Sequence, residues 1–152
     1  MTITLYASKI IEDIKAKSHD EVAEIADKDM RYRAEAGSEK MAQIKDCIRI
    51  AGSRLSQRCL RFLVNGYSEQ SDNSAQDAWS FTFEFDFGSG RRADGKSGPL
   101  TEAMHTFMVE YSLMKFYSNV SQSELSNKHG ILALEAGDLV ETLLYTKLPP
   151  RV

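Results

Sequence analysis

Residues 79–87 read Trp-Ser-Phe-Thr-Phe-Glu-Phe-Asp-Phe. Every odd position is aromatic, and every even one is small and polar or acidic. Side chains on a strand alternate between two faces, whereas a helix would scatter these rings around its circumference. The segment is therefore a β-strand with one apolar face and one wetted face. A lone strand leaves its backbone donors and acceptors unpaired, so it needs a partner. Three are open: the briefly alternating Thr2-Ile3-Thr4-Leu5-Tyr6, a short hairpin arm from the flanking loops, or the edge of another subunit. The aromatic face is expected to lie on helices of the same chain over most of its area, with a neighbouring subunit as the alternative cover.

The rest of the chain reads as helix. Ile10, Ile11 and Ile14 recur at helical spacing, and Ser18-His19-Asp20-Glu21 matches a capping box that predicts a fresh helix start. Val22, Ile25 and Ala26 give that helix an apolar side, and Gly37 is its expected stop. Met41, Ile44, Ile48, Ala51, Leu55, Cys59 and Phe62 recur every three or four residues, with Arg49, Arg54, Arg58 and Arg61 on other faces. This predicts a long amphipathic helix over about 38–64. Gly66 and the run SEQSDNSAQD read as a polar loop. Beyond the strand, a glycine-rich loop leads to Pro99, which suits a first helical turn. Leu100, Met104, Phe107, Met108, Tyr111, Met114 and Val120 mark that helix's buried side. Ser121-Gln122-Ser123-Glu124 is a second capping box, and Leu125, Leu132, Leu139, Val140, Leu143 and Leu144 line a last helix that Pro149-Pro150 end.

The expected fold is mainly α: a bundle of four to five helices with a small strand or hairpin element inserted before the last two. Its 152 residues suit one domain over 1–152, with 65–98 as the inserted loop, strand and glycine-rich loop. A net charge of −3 advertises neither nucleic acid nor an anionic membrane as partner. No apolar run reaches the roughly 18 residues that span a bilayer. The start, MTITLYASKIIEDIK, lacks the basic and continuous apolar regions of a secretory signal. Cys47 and Cys59 fall on one helix, about 18 Å apart, too far for a disulfide between them. Buried free thiols fit a reducing, cytoplasmic setting.

Gly90-Arg91-Arg92-Ala93-Asp94-Gly95-Lys96-Ser97 matches the phosphate-loop pattern G-x-x-x-x-G-K-[ST] letter for letter. The motif works when a buried parallel strand delivers the loop and a helix begins at its Lys-Ser end. Here the preceding strand is amphipathic, unlike a central parallel strand. Pro99 argues against a helix starting at Lys96. The remainder reads as two helices, with no apolar strand ending in an acidic residue to place magnesium. The expectation is a solvated loop whose basic tip, Arg91, Arg92 and Lys96, is free for contacts.

Glu102 and His105 form Glu-x-x-His, the spacing used in carboxylate-bridged di-iron bundles. Such a site needs the motif twice, and His19 and His129 follow Ala16 and Ser126 at that offset. The expectation is no metal, no cofactor and no catalytic residue. Met104, Met108 and Met114 follow core spacing.

The layout is a long helix (Ile44 to Phe62), a β arm with a loop, then Pro99-Leu100-Thr101-Glu102-Ala103 opening a helix through Tyr111 to Phe116-Tyr117. A last helix closes in Leu148-Pro149-Pro150-Arg151. This resembles the small head–tail connector (adaptor) proteins of tailed phages and prophages, from Ile44 onward. The resemblance implies a non-enzymatic structural protein that assembles as an oligomeric ring with other virion or prophage proteins, in the cytoplasm or the virion. The β arm and the basic loop would be its contact elements: Trp79, Phe81, Phe83, Phe85, Phe87, Arg91, Arg92 and Lys96. Two other classes stand as alternatives: a small enzyme using Lys96 and Ser97 for a nucleotide or Glu102 and His105 for a metal, and an intracellular adaptor.

Overall fold

The aromatic strand finds both of its partners within the chain. A computed structural model describes residues 1–70, 79–87 and 96–145. β1 (Thr2–Tyr6) leads into α1 (Ala7–Val22), followed by α2 (Lys28–Ala34), a 3₁₀ turn at Ser38–Lys40, α3 (Met41–Cys59) and a second 3₁₀ turn at Leu60–Phe62. Then come β2 (Leu63–Gln70), β3 (Ser80–Phe85), α4 (Ser97–Asn119) and α5 (Ser123–Tyr145). The protein is mainly α with a small antiparallel sheet of order β1-β3-β2. The N-terminal TITLY is one of the strands, pairing Thr2 with Glu84 through Tyr6 with Ser80. β3 thus has a neighbour on both sides, and its ladder is used up internally.

β2 lies where the sequence reads as helix end and polar loop. Leu63 pairs with Phe85 and Tyr67 with Phe83, so β2 takes four steps (67 − 63) where β3 takes two (85 − 83). The two extra residues sit around Asn65-Gly66, a turn-like pair whose bulge breaks the alternation that would announce a strand. The long helix is correspondingly shorter than 38–64.

The other differences are local. α1 runs unbroken through Ser18, whose buried hydroxyl accepts from the Ala36 N–H at 2.8 Å. It binds another segment and does not cap a new helix. α1 itself has no side-chain cap; its first N–H, at Ala7, donates to the Trp79 carbonyl at 2.9 Å. α2 ends at Ala34, before Gly37. Lys40 closes it, its ammonium donating to the carbonyls of Tyr32 (2.6 Å), Arg33 (2.6 Å) and Glu35 (2.9 Å). α4 begins at Ser97, two residues before Pro99. The first N–H groups of a helix have no helical acceptor, so a proline at the third position sacrifices no bond.

α4 is the central element, packing on α5, α3, α1 and β1. It is buried on most sides, from Leu100 through Tyr117. α3 comes down on the sheet at Gly52, where a Cβ would stand 3.2 Å from Phe81 Cε1 and 3.6 Å from Met108 Cε. Ser121 turns the corner into α5 at φ 61°. Gln122 N–H donates to the Tyr117 carbonyl at 2.8 Å and Ser121 N–H to the Ser118 carbonyl at 3.3 Å, the bonding of a Schellman ending. The three-residue connection sets α5 antiparallel beside α4.

Candidate functional site

Trp79, Phe81, Phe83, Phe85 and Phe87 are all buried inside the chain's own core. Phe83, Phe85 and Phe87 stack in sequence along one face of the sheet. Trp79 donates its indole N–H to Glu69 Oε1 at 2.7 Å, and the Arg49 guanidinium lies over its ring. At no more than 8% exposure, these five side chains are covered by the chain's own core, with Phe81 against α3 at Gly52. Lys96, expected on an exposed basic tip, is only 3% exposed, with its ammonium over the Phe87 ring. This corrects the reading of Lys96 as a free contact cation. Arg91 and Arg92 lie outside the described residues.

α4 begins at Ser97 with Pro99 in its first turn, so a helix does start at the Lys-Ser end, with one N–H fewer to offer a phosphate. The objection from the strand stands: β3 is antiparallel to both neighbours, whereas the motif calls for a parallel strand. Glu102 and His105 share a shallow groove with Tyr6 and Lys9. His105 Nε2 lies 2.6 Å from Asp13 Oδ2, and among the described residues no group of three or more such ligands is placed to hold a metal.

The structure assembles a polar cluster that sequence spacing does not announce. His129 of α5 is 2% exposed and sits between two carboxylates. Its Nδ1 hydrogen-bonds Glu110 of α4, and its Nε2 lies 2.7 Å and 2.9 Å from the two oxygens of Glu21 on α1. Lys17 reaches the other Glu110 oxygen at 2.5 Å, and Lys128 reaches Glu21 at 2.9 Å. The Tyr117 ring stacks on His129. Burial pushes the Glu110 carboxyl upward. The hydrogen bonds and positive charge of His129 and Lys17 outweigh that push and hold it below the ordinary glutamate value. Burial raises the Tyr117 phenol. With both ring nitrogens taken and almost no exposure, His129 is arranged as a tie between α1, α4 and α5, with no lone pair to offer a substrate. Nothing in the sequence pointed to it, because Glu21 stands 108 residues away.

α5 carries the other notable feature. His129, Ala133, Ala136, Gly137, Val140 and Leu144 face inward. Leu139, expected to line the core, is 50% exposed, and Ile131 and Leu134 are 61% and 55% exposed. Among the described residues α5 packs mainly on α4 and α3, and its outer side mixes these apolar residues with Glu124, Lys128, Glu135 and Asp138. Between α4 and α5 runs an open groove of about 440 Å³. Leu132, Ala136, Leu139 and Leu143 form one wall, and Pro99, Ala103 and Thr106 form the other. The charged residues lining it are Glu102, Glu110 and Glu135, all acidic.

No helix among the described residues is long and apolar enough to cross a membrane. Comparison of the chain with protein-family models, curated proteins and solved structures returned no match.

Proposed function

We propose that this chain is a non-enzymatic structural protein that acts by association, joining copies of itself into an oligomer and docking on other proteins of a phage or prophage particle as a head–tail connector does. It would work in the cytoplasm or in the assembled virion. The observation that carries this reading is the outer side of α5. Ile131, Leu134 and Leu139 all lie on α5 and are each half or more exposed. Three large apolar side chains exposed on one helix, beside an apolar groove, favour contact with other polypeptide. The buried aromatic face moves the contact surface from the strand to this helix, while Arg91 and Arg92 remain as proposed loop contacts.

Light scattering and sedimentation velocity across the micromolar range test the reading. A particle of more than one chain is expected, and replacing Ile131 and Leu134 together by Ser should shift it toward monomer. A strict monomer at every concentration refutes self-association.

A further inference from the structure

The α4–α5 groove is a place for a third helix. Its α5 wall is Leu132, Ala136, Leu139 and Leu143, spaced i, i+4, i+7, i+11. Its α4 wall follows the same spacing, Pro99, Ala103, Thr106 and Glu110. Two parallel seams of this kind form the cleft into which an amphipathic helix packs ridge into groove. The rim is acidic: Glu102 and Glu135 are exposed, and neither has an ion-pair partner among the described residues. A fitting helix therefore combines apolar contact with two or more cations that reach the rim.

The chain carries such a helix on its own surface. Along the outer side of α3 and its 3₁₀ extension, Ile50, Arg54, Gln57 and Arg61 again follow i, i+4, i+7, i+11. Ile50 is 43% exposed, and Leu60 beside the seam is 65% exposed. Arg54 and Arg61 are exposed; Arg54 donates to Gln57 Oε1 at 3.4 Å, and Arg61 lies over the Tyr145 ring. Neither has an ion-pair partner among the described residues, whereas Arg58 is taken by Asp138 and Glu141, and Arg49 by Asp46 and Glu69. The seam and the groove lie on opposite sides of α5. The α3 side faces a cleft lined by Leu134, and the groove is walled by Leu132 and Leu139.

We infer that the α4–α5 groove receives the α3 seam of a second copy of this chain, with Arg54 and Arg61 meeting Glu102 and Glu135. This rests on the self-association proposed above and specifies its contact. Because the surfaces that meet are different patches, the contact is head-to-tail and each copy keeps one free groove or seam for the next.

The test is charge reversal with reciprocal rescue, read by sedimentation velocity on the full chain. Glu102→Arg with Glu135→Arg should weaken association roughly tenfold or more, and so should Arg54→Glu with Arg61→Glu. Mixing the two double variants should restore association through two contacts, the unaltered seam of one variant in the unaltered groove of the other and the charge-swapped pair, and give an alternating one-to-one assembly. All four residues are exposed, so circular dichroism should show both variants folded. A wild type that self-associates while neither variant changes it, or a mixture that shows no rescue, overturns the groove–seam contact and leaves the association reading standing. A wild type that stays monomeric overturns both, and leaves the groove to a partner of another kind.

Discussion

Replacing Glu110 by Leu should be among the most damaging single changes in this protein, and its damage should be largely relieved by a second one. Glu110 is 2% exposed and holds Lys17 on one oxygen and His129 on the other. Removing one partner of a buried ion pair typically costs about 3–5 kcal/mol, because the other is left uncompensated. Here the lower end applies. The Lys17 side chain is 48% exposed and returns to water, and His129 keeps Glu21 on its other nitrogen. The cost of Glu110→Leu is therefore about 3 kcal/mol, and that of His129→Leu about 2, since each carboxylate then retains a lysine. In the double variant the two leucines face each other across α4 and α5, and no buried charge is stranded. The two costs should then fail to add, with a coupling of about 2 kcal/mol. Urea unfolding of the four proteins at neutral pH, followed by far-UV circular dichroism, measures the cycle. Additivity within about 0.5 kcal/mol would refute the claim that the two residues form one unit, and so would a Glu110→Leu cost under about 1 kcal/mol.

The pH dependence should follow from the same carboxylate: its folded pKa is depressed, so its contribution is present above the ordinary glutamate range and is lost as pH falls through the folded value. Glu110→Gln should therefore lose stability less steeply than wild type as pH falls through the folded value and take up fewer protons on acid unfolding; equal proton uptake by the two proteins would contradict this. Ser121→Gly should stabilise the chain by about 1 kcal/mol, since Ser121 sits in the left-handed region that glycine occupies without strain; a lowered melting temperature would contradict this. Cys47 and Cys59 are raised by burial to about 11 and about 12, so a thiol reagent at neutral pH should react only through opening of the fold, at rates that rise with denaturant. Phe83→Ala should cost about 3–5 kcal/mol of stability, as expected of a core ring; loss of association with unchanged stability would return the strand to the role of a contact arm.

The local elements were legible because their periodicity is a property of short segments. The alternation of Trp79 to Phe87 fixed a one-faced strand, and the three-four spacing from Met41 to Cys59 fixed α3. β2 was hidden by its bulge around Asn65-Gly66, and Ser18 looked like a cap because the sequence does not show that Ala36 would claim its hydroxyl. Of the candidate contact residues, the five aromatics were identified as one face expected to lie mostly on the chain's own helices, and their burial in its core agrees with that.

Periodicity tells how much of an element is apolar; it is silent on how many neighbours come to cover it. The sequence therefore determined a mainly helical chain with an amphipathic aromatic strand and two cysteines that cannot bridge within their helix. Tertiary structure alone decided that β1 and β2 flank that strand, that Lys96 lies over Phe87, and that His129 stands between Glu110 and Glu21. It also left Ile131, Leu134 and Leu139 of α5 exposed among the described residues. These outcomes depend on contacts between residues far apart in the chain, whose closeness is set by the packing of whole elements and leaves no trace in local spacing.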